Sequence, residues 1–189
     1  MSSSISNGIK LIGITGKAGA GKDYIANLIR KKYGYFCIAF ADHMKCEMMR
    51  NCGFSFSEVY TEKTPDSRIA MQQFGMHERE NSGINTWVDT LASWIDVINL
   101  KNNIGGFVVT DVRFDNEAEF IKNNNGILIE VVSDRDRDDM TSDAKKHASE
   151  QGVNKSYIDH SFNNKIGTTN EEIFSFLEEL NDKYSLILI

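Results

Sequence analysis

The sequence predicts an α/β protein with a parallel sheet of about five strands covered by helices on both faces. Three observations carry that expectation. Strand-sized apolar runs such as "FVV" and "ILIEVV" alternate with helical periodicity, and neither run can span a bilayer. A glycine-rich turn, "GKAGAGK", joins the first predicted strand to the first predicted helix. No repeat, low-complexity tract or linker interrupts the 189 residues, so one domain over residues 1–189 is the simplest organisation.

Each element has its own signal. "IKLIGIT" (9–15) is a β-rich apolar run and reads as a buried strand. The next helix carries Ile25, Leu28 and Ile29 on one face and stops at Gly34. "YFCIAFA" (35–41) reads as a second strand. Residues 42–100 read mostly as helix, interrupted at Pro65, with a stripe of Ile84, Val88, Leu91, Ile95 and Ile98. "GGFVVTDV" (105–112) is a third strand, "DNEAEFIKNNNG" a helix with a glycine stop, and "ILIEVV" (127–132) a fourth strand. A charged segment, about 133–156, follows. "YIDHSFNN" (157–164) reads as a fifth strand. The last helix starts where Thr169 and Glu172 have capping-box spacing, with Ile173, Leu177 and Leu180 inward. "YSLILI" could end the chain as a strand or as a contact with a partner chain.

A hydrophobic content of 41% can fill a core, and the net charge of −6 argues against a protein that coats nucleic acid. The polar start lacks an apolar signal core, and no membrane segment is expected. Cys37, Cys46 and Cys52 lack metal-ligand spacing and read as reduced packing thiols, which points to a cytoplasmic protein.

The glycine-rich turn matches the P-loop spacing of Gly16, Gly21 and Lys22, but Asp23 stands where Ser or Thr is usual. Its strand-to-helix context is the one the motif requires. Backbone N–H groups of Gly16, Lys17, Ala18, Gly19, Ala20, Gly21, Lys22 and Asp23 would cradle the phosphates of ATP at a helix N-terminus. Lys22, expected to be largely exposed, would reach the β- and γ-phosphates. Asp23 could hold Mg²⁺ directly or through water, or could simply suit the helix dipole. In a parallel sheet, ligands sit at the carboxyl ends of the strands. "DVRFDNE" falls there. Asp111 could bind Mg²⁺ through water or act on an acceptor phosphate, and Arg113 could hold a phosphate by its planar fork. Asn116 and Glu117 open the next helix, as caps or as ligand contacts.

"GKAGAGKD", "AFADHMK", the "R...QQFG...R" stretch, "DVRFDNEAEFI" and "HASE" occur here in the order found in phage-type deoxynucleoside monophosphate kinases, which the chain resembles over about residues 9–180. That family also writes Gly-Lys-Asp in its P-loop. The resemblance implies a P-loop kinase fold with a helical acceptor-binding region at about 42–100 and a lid-like segment at about 133–156. It also implies transfer of the γ-phosphoryl group of ATP, with Mg²⁺, to a deoxynucleoside monophosphate for DNA precursor synthesis. This would take place in the cytoplasm, the host's if the gene is a phage's, in a chain that could form a homodimer. The chain departs from the family pattern at His43, Tyr24 and "FGMHERE", positions that bear on substrate choice.

The resemblance further implies acceptor-side roles for Asp42, Lys45, Arg68, Gln72, Gln73 and Arg79. Without it, a solvated helix face would be the simpler reading of the last four. Trp87 could stack a base, although a tryptophan in this stripe is more often core. His147, Ser149 and Glu150 are implied as an acceptor-side wall. Arg135 and Arg137 could be lid arginines or part of a solvated mixed-charge loop. Two rivals remain: a P-loop kinase of another small acceptor such as dephospho-coenzyme A, and a non-catalytic nucleotide-binding protein. The latter would need no second phosphate site.

Overall fold

Five parallel strands join one sheet in the order β2-β3-β1-β4-β5, in a computed structural model that describes residues 4–134 and 151–186. β1 (Lys10–Thr15) is the middle strand, paired with β3 (Gly106–Val109) on one side and β4 (Ile127–Val132) on the other. β2 (Phe36–Ile38) lies outside β3, and β5 (His160–Asn163) outside β4. β1 has neighbours on both edges and helices on both faces, so its run is almost wholly apolar and buried.

α1 (Lys22–Tyr33) and α6 (Asn170–Tyr184) cover one face, where Ile25, Ile29, Ile173, Leu177 and Leu180 meet Ile12, Ile14 and Ile129. α2 (Ala41–Asn51), α4 (Thr86–Asn102) and α5 (Asp115–Asn123) cover the other through Met48, Leu91, Ile95 and Ile121. Gly34 ends α1 with a φ of 77°, and the Thr169–Glu172 capping box opens α6, both as expected. Pro65 occupies the first turn of α3 (Pro65–Ser82) behind the Thr64 N-cap, where a missing N–H costs nothing.

Several boundaries differ from expectation. The second strand stops at Ile38 because Asp42 Oδ2 accepts the Ala39 N–H and Asp111 accepts those of Phe40 and Ala41, which turns the chain into α2. The third strand ends at Val109, so Asp111 lies just past the strand rather than in it. α5 is stopped at Asn124 and Asn125, the latter at φ 56°, before Gly126 is reached. Ile84 is 66% exposed in the loop before α4, so the inward stripe starts at Val88. Cys46 and Cys52 are exposed rather than packed, and Cys37 is half-buried; all three are free thiols. Leu186 is buried, and its carbonyl accepts the Tyr35 hydroxyl at 2.9 Å. Among the described residues, no helix is long and apolar enough to cross a membrane.

Candidate active site

The glycine-rich loop runs from the end of β1 to the start of α1. Gly16 has φ 137° and Gly21 has φ 94°, both in the region that favours glycine. A Cβ on Gly16 would collide with the Val131 carbonyl oxygen, and one on Gly21 with the Asn164 amide. Asn164, 5% exposed just past β5, donates Nδ2 to the Ala20 carbonyl at 2.8 Å and so props the loop from beneath. Sequence reasoning missed it, because "YIDHSFNN" reads only as a strand and the partner of the amide lies 144 residues away. The expected exposure of Lys22 is corrected: the side chain is 8% exposed, and Nζ donates to the carbonyls of Gly16 at 2.7 Å and Lys17 at 2.9 Å. The curved loop turns its own carbonyls toward the ammonium, so the charge is held inside the curve.

A cavity of about 260 Å³ opens beside this loop. Ala18, Gly19, Lys22 and Asp23 line one end of it. The wall from α3 carries Arg68, Gln72 and Arg79 with Met71, Gly75 and Met76 between them. The spacings of four, seven and eleven residues from Arg68 put this set on one helical face. Gln73 is not on that wall. Lys45, Asp111, Arg113 and Glu117 complete the polar lining, with Met44, Phe40, Phe114 and Trp87 as apolar surface. Thus residues distant in sequence, from the P-loop, α2, α3 and the segment after β3, share one space.

The carboxylates divide the work. Asp42 is not part of the cavity lining; it accepts the Ala39 N–H at 2.9 Å and the Tyr60 hydroxyl at 3.1 Å, with Oδ1 3.7 Å from Lys45 Nζ. Asp111 borders the cavity, but its oxygens accept the N–H groups of Phe40 at 2.7 Å and Ala41 at 3.0 Å. Burial pushes its carboxyl above the ordinary range, against the pull of Lys45, Arg113 and those amides. Glu117 is buried and accepts from Arg79 Nη2 at 2.6 Å, from the Arg113 N–H at 2.7 Å and from the Phe114 N–H at 3.2 Å. Burial, then the neighbouring Asp111 charge, pushes it up to about 7, with Arg79 pulling the other way. Glu117 thus fixes the Arg79 guanidinium and the main chain at Arg113.

The cations are also positioned. Arg79 donates Nη1 to the Ile84 carbonyl at 3.0 Å, and its guanidinium carbon sits 4.1 Å from the Phe114 ring centroid. Lys45 is 12% exposed, with Nζ 4.3 Å from the Tyr60 ring centroid. Asn116 lies off the cavity wall; its amide ties α5 to Ile84 and Asn85 before α4, at 3.0 Å each. Trp87 is buried in the core, as a tryptophan in this stripe usually is, with Nε1 donating to the Gly75 carbonyl at 3.2 Å, and it also borders the cavity. Lys63, in the loop before α3, also lines the cavity. In "TEKTPD" it reads as a solvated loop charge, and no local signal marks it. Arg135, Arg137, His147, Ser149 and Glu150 lie outside the described residues.

The arrangement fits a bound nucleotide and its ion. The cradle at Gly16 and Gly21 has no room for side chains and opens a helix, as a phosphate site must. Among the described residues no group of three or more His, Cys, Asp or Glu could hold a metal ion. Mg²⁺ commonly takes one or two carboxylates, with the remainder of its ligands from phosphate and water. Asp23 lines the cavity at the head of α1, while the oxygens of Asp111 accept amides at the start of α2.

Comparisons with known proteins follow the same lines. No protein-family model matches the chain. A protein of Acanthamoeba polyphaga mimivirus, carrying the provisional name deoxynucleotide monophosphate kinase, is 30% identical over 192 residues, covering 87% of this chain and 92% of that one. Among solved structures, dephospho-CoA kinase from Campylobacter jejuni is similar over 93% of this chain and 99% of its own, with 14% identity and a TM-score of 0.51. Shikimate kinase from Bacteroides thetaiotaomicron covers 94% of this chain and 98% of its own, with 12% identity and a TM-score of 0.46. At such identities the likeness to dephospho-CoA kinase is one of fold.

Proposed function

Since the chain belongs to the deoxynucleotide monophosphate kinase family, with a P-loop kinase fold, we propose that it uses ATP to phosphorylate deoxynucleoside 5'-monophosphates to diphosphates. The observation that carries this reading is the shared cavity. A phosphate cradle forms one end, and Lys45, Lys63, Arg68, Arg79 and Arg113 line the rest. A protein that only bound ATP would not need a second set of cations. The Gly-Lys-Asp loop and the "DVRFDNEAE" stretch support the phage-type pattern within the family.

The residues suit in-line transfer between two bound phosphates. An oxygen of the acceptor phosphate attacks the γ-phosphorus, the bond to the β–γ bridging oxygen breaks, and ADP leaves. The attacking oxygen is already anionic, so no side chain need act as a base. The P-loop amides and Lys22 hold the donor; the arginines align the acceptor and offset charge on the transferring group. Bound Mg²⁺ would neutralise the donor oxygens, and Asp23 would hold it directly or through water. Met44, Met71, Met76 and Trp87 give the acceptor's base an apolar wall, with the Gln72 amide beside it.

ATP consumption against the four deoxynucleoside monophosphates and dephospho-coenzyme A tests the assignment. ADP should form with at least one of the four and not with dephospho-coenzyme A. Turnover of dephospho-coenzyme A alone would replace the acceptor class. Binding of ATP without turnover of any of them would leave a nucleotide-binding protein.

Two substitutions separate the parts. Arg113→Ala should weaken the acceptor by roughly ten- to a hundredfold, the value of about 1.5–3 kcal/mol for one charge-assisted hydrogen bond, with ATP little changed. Calorimetry with each ligand alone reads this; the reverse pattern would move Arg113 to the donor side. Asp23→Asn should raise the magnesium concentration needed for half-maximal rate, and Asp23→Ser should recover part of the loss. Identical magnesium titrations for the parent and Asp23→Asn would leave Asp23 with its helix-dipole role only.

A further inference from the structure

Between α2 and α3 the chain forms a short π-helical turn, Ser57–Thr61, pinned by the fully buried Val59. Ser55 closes the approach to it, its N–H and hydroxyl donating to Glu58 Oε2 at 2.8 and 2.6 Å. The turn lays the Tyr60 ring against Phe56, with centroids 4.8 Å apart and planes 21° from parallel, and against Lys45, whose Nζ is 4.3 Å from the ring centroid. The Tyr60 hydroxyl donates to Asp42 Oδ1 at 3.1 Å, and the Ala39 N–H donates to Oδ2 at 2.9 Å. Burial, then the Asp42 charge and Cys46, push that hydroxyl above the ordinary tyrosine range, so it stays a donor. Both oxygens of Asp42 are therefore engaged. Lys45, three residues on, remains 3.7 Å from Oδ1, well outside the roughly 2.8 Å of a charge-assisted hydrogen bond. A flexible lysine beside an unengaged carboxylate would close that gap. Asp42 is not part of the cavity lining, whereas Lys45 is, so closing it would draw the ammonium off the wall.

We infer that Tyr60 is a positioning residue for this reaction: by engaging Asp42 and offering its ring to the ammonium, it keeps Lys45 on the cavity wall rather than paired with Asp42. The inference rests on the reading of this cavity as an acceptor site, and it concerns a residue that does not line it. The ring attracts the cation without neutralising it, so the charge stays available to a bound phosphate. A closed pair with Asp42 would have to open before the ammonium met a ligand. The apparent affinity would then fall by the fraction of molecules in which the pair is open.

The test is a double-mutant cycle in the full chain with Tyr60→Phe and Asp42→Asn, read by calorimetry with whichever deoxynucleoside monophosphate binds tightest. Phenylalanine keeps the ring and frees Oδ1. Asparagine keeps an oxygen for the Ala39 N–H and removes the competing charge. Tyr60→Phe should weaken the acceptor by roughly three- to tenfold, the value of about one hydrogen bond. Adding Asp42→Asn should restore most of that loss, while Asp42→Asn in the parent should gain much less. A merely structural role for Tyr60, or general relief from the Asp42 charge, would make the two effects additive. Additivity overturns the inference, as does unchanged affinity in Tyr60→Phe. A second readout, by NMR, needs no acceptor. The Lys45 ε-methylene protons, identified by their loss in Lys45→Met, adjoin an ammonium held over the Tyr60 ring and feel its ring current. In ligand-free Tyr60→Phe they should move downfield as the ammonium leaves the ring, and they should return when Asp42→Asn is added. Signals that stay in place in Tyr60→Phe overturn the inference whatever the acceptor proves to be. If none of the four deoxynucleoside monophosphates binds the parent chain, the proposed function fails, and the NMR readout decides for Tyr60.

Discussion

Lys22→Ala is expected to lower the rate of phosphoryl transfer by about two to three orders of magnitude, the usual cost of removing one group that stabilises developing charge. Because Lys22 is buried and donates to the Gly16 and Lys17 carbonyls, alanine should also loosen the loop. Lys22→Met separates the two effects. It keeps the packed stem and loses the charge, so its melting temperature should stay nearer the parent's while its rate falls as far. Turnover close to the parent's in folded Lys22→Met would remove the glycine-rich loop from the chemistry.

Glu117→Ala should cost about 3–5 kcal/mol of unfolding free energy at pH 8, the range for breaking a buried ion pair from one side. Arg79 would lose its carboxylate, and the amides of Arg113 and Phe114 their acceptor. Urea unfolding reads the loss, and acceptor affinity should fall with it, because both arginines border the cavity. The pH dependence has a definite sign. The folded-state value of about 7 lies above the ordinary 4.5, so the folded chain binds the proton more tightly than the unfolded chain. The stabilising contribution is complete below about pH 4.5 and is lost as pH rises through 7, by at most about 3 kcal/mol. Glu117→Gln should flatten the stability profile between those values. A profile with the parent's slope in Glu117→Gln would assign that slope to other groups.

What could be read from the sequence was local. β1, the glycine-rich loop and α1 follow one another within 24 residues, and their signals need no distant partner. The Thr169–Glu172 box and Gly34 are local in the same way. What escaped depends on contacts across the chain. The second strand ends early because Asp111, 71 residues from Phe40, takes an amide that would otherwise extend the ladder. The place of Asp111 at the carboxyl edge of the sheet was legible; the use of its carboxylate by α2 was not. Asn164 supports Ala20 from 144 residues away. Lys63 joins Lys45, Arg68 and Arg113 in one cavity lining only through the fold. The acceptor-side set on α3 was suggested by family resemblance, since its alternating polar and methionine residues carry little periodic signal of their own.

The amides at the start of α2 are spent within the protein: Asp42 takes the one at Ala39, and Asp111 those at Phe40 and Ala41. The donor end of the cavity is different, because there the main chain itself forms the cradle. On the proposed reading, donor recognition lies largely in main chain that needs its glycines, with Lys22 and Asp23 as the side chains it depends on. Acceptor recognition is written in side chains, each one codon change from something else. A lineage built on this scaffold can change what it phosphorylates by drift at a few positions of α2 and α3 without relearning how to hold its phosphoryl donor. The same asymmetry makes the α3 wall the place to begin when redirecting the protein toward another acceptor.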